Sequence, residues 1–130
     1  MSVFSIGGLD LAGRIARIEN ALGISDDTTA LIANAIQVNG SGTFHITKPS
    51  AAAYTLRAPI AGLPQQGGED GLVLRICSAT AFAHTVTTPA GKLNGALHIA
   101  TFAAAIGNGI ELHAKGGVWL VFVNTGITLS

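Results

Sequence analysis

Between residues 9 and 22 the apolar positions fall at Leu11, Ile15, Ile18 and Leu22, spaced four, three and four apart. That spacing predicts a helix over about residues 9–22 whose apolar residues form an a/d seam two heptads long. With Ile15 at a and Ile18 at d, β-branched residues occupy both kinds of core position, which favours an assembly larger than a dimer. Arg14 then falls at g and Glu19 at e, so the expected interface between copies is Leu11, Arg14, Ile15, Ile18, Glu19 and Leu22. The competing reading of the same pattern is an amphipathic helix lying on its own domain. Two heptads alone make a marginal helix, so association through the seam needs help from the rest of the chain.

After Gly23 the periodicity changes. Gly23 reads as a helix stop, and Ser25-Asp26-Asp27-Thr28-Thr29 reads as a hinge or cap. Residues 28–36 fit either a short helix or an extended lead-in. From Val38 onward the pattern is short alternating runs punctuated by Gly and Pro. Strands are expected at 43–47, 53–57, 72–77, 84–87, 97–100, 109–113 and 118–123, with a hairpin over 36–47 closed by Asn39-Gly40-Ser41-Gly42 and a hairpin turn at Ile106 to Ile110. Short strands at this spacing predict a mainly β fold, a short N-terminal α-helix followed by an antiparallel β-sandwich or barrel. The expected organisation is an N-terminal segment 1–24 carrying the trimerising helix, a linker over 25–35, and an all-β domain over 36–130.

Composition adds a surplus of apolar surface. Of 130 residues 48% are hydrophobic and 11% charged, against about 25% charged in an ordinary soluble domain. Something beyond a monomer's core is expected to cover part of that surface. No window is apolar for the roughly 18–20 residues a membrane helix needs, and the start lacks the pattern of an export signal, so no membrane partner is expected and synthesis is expected in the cytoplasm. Seven basic and seven acidic residues cancel without clustering, which argues against a nucleic-acid partner.

Little chemistry is visible. Cys77 stands alone in an apolar run and reads as a buried thiol, outside any intrachain disulfide or Cys-based zinc site. His45, His84, His98 and His113 all fall in expected strands, none at the spacing of a helical zinc pair, and read as half-buried or solvent-face residues unless a subunit interface gathers them. Glu69 and Asp70 mark the exposed tip of a glycine-rich loop over 60–71, and Glu111 reads as exposed on a strand. No nucleophile elbow, Walker loop or dinucleotide fingerprint occurs. Trp119, in the most hydrophobic strand, reads as a packing residue rather than a carbohydrate platform. No enzyme activity, metal or cofactor is expected.

Two resemblances give these features a direction. The string Arg14-Ile15-Ala16-Arg17-Ile18-Glu19 resembles the Arg-hydrophobe-x-x-hydrophobe-Glu motif of short trimeric coiled coils, in which the Arg of one helix pairs with the Glu of its neighbour. The run Gly71-Leu72-Val73-Leu74-Arg75-Ile76, then Ala83-His84-Thr85-Val86-Thr87, Leu93-Asn94-Gly95, Ala100 to Gly107, Gly117-Val118-Trp119-Leu120-Val121 and Gly126 to Ser130 resembles small virion proteins of tailed bacteriophages, in particular capsid decoration (cement) and head-fibre proteins. The similarity covers roughly residues 50–130 and consists of turns and packing residues. It implies a homotrimeric β knob on the outer face of a phage head at threefold or quasi-threefold positions, with the major capsid protein as partner and Val3, Phe4 and Ile6 as possible capsid contacts. One alternative is a receptor-binding knob of a tail fibre or spike. Another is a trimer with ligand or catalytic sites built from the histidines, Arg57 and Arg75 at subunit boundaries.

Overall fold

The computed structural model describes residues 24–26 and 34–130, the former through their backbone. The expected helix over 9–22, its six interface residues, and Val3, Phe4 and Ile6 lie outside the described residues. What is described is mainly β, without an α-helix. The strands are β1 (Ile24–Asp26), β2 (Gly42–Ile46), β3 (Ala53–Thr55), β4 (Val73–Ser78), β5 (Thr85–Thr87), β6 (Ile99–Phe102), β7 (Gly109–Lys115), β8 (Val118–Thr125) and β9 (Ile127–Leu129).

They form two sheets. One has five strands in the order β1-β2-β4-β7-β8, the other four in the order β3-β5-β6-β9. Both are mixed, which corrects the antiparallel expectation: β1 with β2, β2 with β4 and β3 with β5 run parallel. A parallel neighbour needs a long return path. Between β2 and β4 the chain takes that path through β3 in the other sheet and the loop that follows it. Period-2 alternation reports which side chains face inward and is silent on strand direction.

Two expected hairpins are absent for the same reason. Ile36 donates its N–H to Thr55 O at 2.9 Å beside β3, so Asn39 to Ser41 carries the chain from one sheet to the other instead of closing a hairpin over 36–47. The turn at Ile106 to Asn108 likewise joins β6 in the four-stranded sheet to β7 in the five-stranded one. Ser25 and Asp26, which read as hinge residues, belong to the edge strand β1. The hairpin that does form is β7 to β8. Its two-residue turn, Gly116-Gly117, has φ of +59° and +80°, the left-handed pair a type I′ turn requires and glycine adopts without strain.

Both sheets turn their alternate residues into one core. Phe44, Ile76, Leu112 and Trp119 come from the five-stranded sheet, and Tyr54, Val86, Phe102 and Ile127 from the four-stranded one. Each such side chain contributes about 1.5–3 kcal/mol on leaving water. Trp119 is fully buried, and its Nε1–H donates to Arg57 O at 2.8 Å. Among the described residues every buried side-chain nitrogen and oxygen has a hydrogen-bond partner.

Candidate functional site

The outward face of the five-stranded sheet carries a row of side chains that brace one another across three strands. Arg75 on β4 lies opposite Glu111 on β7, and its Nε–H donates to Glu111 Oε1 at 2.7 Å. His113, two residues along β7, reaches the other carboxylate oxygen at 3.1 Å. Because a carboxylate only accepts, that contact puts a proton on His113 Nε2. The hydrogen bond from His113 first, and then that from Arg75, hold the Glu111 carboxyl below the usual carboxylate range. Flanked in this way, the Glu111 side chain is only 16% exposed, not the free strand charge its position implies.

The row ends on an aromatic ring. β7 and β8 pair Leu112 with Val121 and Glu111 with Val123, so Phe122 is an extra residue with nothing opposite it, the signature of a β-bulge. Its ring lies 4.7 Å from that of His113, tilted by 45°. Phe122 is nevertheless 71% exposed, and its neighbours Leu120 and Val123 are 44% and 48% exposed. Residues 116–130 contain no Asp, Glu, Lys or Arg, so this edge of the sheet is both apolar and uncharged.

A second group of charges lies in the loop between β3 and β4. Glu69 is gripped by both Arg57 amino groups at 2.6 and 2.8 Å and by Ile60 N–H at 2.8 Å. The Arg57 bond is the main reason its carboxyl sits below the usual range. Asp70 Oδ1 accepts from Gly116 N–H at 2.9 Å and Gly62 N–H at 3.3 Å, while Lys115 Nζ approaches Oδ2 at 3.4 Å. Those bonds, led by the one from Gly116, lower the Asp70 carboxyl as well. The acidic pair is therefore not the exposed tip of a free loop. Both carboxylates are largely covered, at 15% and 13% exposure, because Glu69 ties the loop to itself through Arg57 and Ile60 while Asp70 holds it onto the β7–β8 turn. At Gly68 the backbone comes so close to Gly62 that a Cβ would lie 2.1 Å from Gly62 O.

The histidines are dispersed. His45 is exposed on β2, His113 belongs to the braced row, and His98 is half-buried just before β6. His84 departs from expectation, being fully buried and outside any strand. Its Nδ1 accepts from Ala52 N–H at 3.2 Å, which leaves the proton on Nε2 for Thr80 Oγ1 at 2.9 Å; that hydroxyl donates in turn to Lys48 O at 2.7 Å. A buried imidazole here stitches the loop between β4 and β5 to the loop between β2 and β3. Cys77 is also corrected: Leu74, Ile76 and Ser78 take the inward positions of β4, so the thiol falls on the outward face, half-buried, level with His45 on β2. Among the described residues no three His, Cys, Asp or Glu side chains gather as a metal would need.

Arg57 and Arg75 are not brought together within one copy; the first serves the loop and the second the sheet face. An open groove runs between Ile36, Val38, Leu56, Thr88 and Pro89, and Arg57 is the charged residue in its lining. That guanidinium is already committed to Glu69 and to Val38 O. The exposure of Phe122 has a signal in the unbroken apolar run over 118–123: a strand apolar on both faces has one face more than its own core can use.

Comparison with known proteins finds no family model that matches the chain and no curated protein that matches it.

Proposed function

We propose that this chain is a structural virion protein, a homotrimeric decoration or cement protein that sits on the outer face of a tailed-phage head at threefold or quasi-threefold positions and stabilises it. The observation that carries this reading is the uncharged, exposed apolar edge of β8, with Leu120, Phe122 and Val123 outward, on a chain whose charged share is 11%. Large permanent interfaces are apolar and poor in charge. The two sheets around one core are read as a sandwich, and the helix over 9–22 as the element that sets the register of three copies. A threefold protein matches threefold lattice sites by symmetry. A host-recognition knob is the second reading, and the exposed ring of Phe122 favours it. The larger aromatics such a site would display, Trp119 and Tyr54, are buried here.

The test is to incubate the purified chain with undecorated phage heads and look for added density by cryo-microscopy and for raised heat resistance of the heads. Ordered density at threefold positions supports the cement reading. Absence of binding to any head lattice, together with binding to host cells, moves the assignment to the knob.

A further inference from the structure

We infer that Asn39 is a self-modifying site: its side-chain amide is lost to attack by the backbone nitrogen of Gly40, which leaves a carboxylate at position 39. The chain carries three Asn-Gly pairs, Asn39-Gly40, Asn94-Gly95 and Asn108-Gly109. In each of them the glycine offers a backbone nitrogen with no Cβ to crowd its approach to the amide carbon. Local sequence makes the three alike. The fold makes them different.

Asn108 is buried, and its Nδ2–H donates to Ala103 O at 2.9 Å. It packs so closely under Gly126 that a Cβ added there would overlap its side chain, and Gly109 is already the first residue of β7. Asn94 is exposed, but its Oδ1 accepts from Val121 N–H at 2.8 Å. Swinging its amide carbon towards Gly95 would leave that N–H without its acceptor. Asn39 has no such tether. It is exposed in the link between Ile36 and β2, outside any strand. Among the described residues neither its side chain nor Gly40 N–H makes a hydrogen bond. Its amide can therefore reach the attacking geometry without breaking a contact, as a segment of low local stability allows.

Water is the one co-reactant. The Gly40 nitrogen bonds to Asn39 Cγ, the Cγ–Nδ2 bond breaks, and the amide nitrogen departs as ammonia with the proton that Gly40 N–H gives up. Water then adds to either carbonyl of the resulting succinimide and opens it to aspartate or isoaspartate. The new carboxylate adds one negative charge to a chain whose seven basic and seven acidic residues cancel. It also arises in the lining of the groove that holds Arg57, one residue from the Val38 carbonyl to which Arg57 donates at 3.2 Å. Arg57 thereby gains an acidic neighbour besides Glu69. The isoaspartate form lengthens the backbone by one methylene in the stretch that carries the chain from one sheet to the other.

The experiment follows ammonia loss at each pair by peptide mapping with mass spectrometry. The full folded chain is held in mildly alkaline buffer well below its thermal midpoint, beside the same chain unfolded in urea. Isoaspartate is counted separately by enzymatic methylation with an isoaspartyl methyltransferase. In the folded chain Asn39 is expected to convert about tenfold or more faster than Asn94 or Asn108, the worth of about one retained hydrogen bond. In urea the three should convert at comparable rates. Asn39→Ser should remove the early acidic species on isoelectric focusing and leave the circular dichroism spectrum unchanged. Folded-state conversion at Asn94 or Asn108 as fast as at Asn39 overturns the inference. An intact Asn39 in a folded chain whose unfolded form converts does the same. A persistent lead of Asn39 in urea also overturns it, since the difference then lies in neighbouring residues and not in the fold.

Discussion

At the scale of single residues the fold is held by a few contacts whose loss is measurable. Trp119 fills the core and donates to Arg57 O at 2.8 Å. Trp119→Phe keeps most of the apolar volume but leaves that carbonyl without its donor, so it should cost about 1–3 kcal/mol, read as a lower urea midpoint at unchanged slope. Gly68 is a sharper case. A methyl group there would meet Gly62 O at 2.1 Å, and backbone does not yield as a side chain does. Gly68→Ala should therefore lose about 1–3 kcal/mol by forced displacement, whereas Gln66→Ala, exposed two residues earlier, should stay within about 0.5 kcal/mol. Equal midpoints for these two variants would show that the loop relaxes freely around the added methyl.

At the scale of elements the loop between β3 and β4 and the braced row on β7 depend on ionised carboxylates, which makes stability depend on pH. Glu69, Asp70 and Glu111 all have folded pKa values below their ordinary ones. A depressed carboxyl contributes its stability fully above the unfolded value of about 4.3 for Glu or 3.9 for Asp and loses it as pH falls through the folded value. Urea midpoints should consequently be flat from neutral pH down to the ordinary carboxylate range and fall below it. In Glu69→Gln the overall midpoint should be lower, because the paired bond to Arg57 is gone, and the acid fall shallower. An acid fall of the same steepness in Glu69→Gln would assign the pH dependence to other groups. These elements also mark how far the sequence could be read. Of the strands over 73–78, 109–115 and 118–125, the middle one was legible from alternation at Ile110, Leu112 and Ala114, and the other two from short apolar runs opened by Gly71 and Gly117. Partners and directions were not, since Leu74 or Ile110 faces the core equally well beside a parallel or an antiparallel neighbour. The three-residue strand β9 is too short to show a period, and the roles of Glu69, Asp70 and His84 depend on backbone groups that chain folding brings near, which no local spacing encodes.

At the scale of the whole molecule the question is what keeps copies together. The core of the described residues draws on positions between Ile36 and Ile127, and deletion of residues 1–23 tests whether it stands by itself. The shortened chain should keep a β-type circular dichroism spectrum and a cooperative melt. Its association is a separate matter. A two-heptad helix is marginal on its own, and β8 presents an uncovered apolar stripe with Phe122 at its centre. Contacts in the β body are therefore expected to carry most of the association energy, with the seam adding register and effective concentration. The double change Ile15→Asp with Ile18→Asp puts charges where the seam would bury them, at a cost that burial without a partner makes large. Light scattering of this variant should show the oligomer persisting at high concentration and dissociating on dilution sooner than the parent. Complete conversion to monomer at every concentration would make the helix the driver and reduce the β body to a secondary contact. An unchanged dilution curve would place residues 9–22 outside the interface and leave the β body to hold the copies alone.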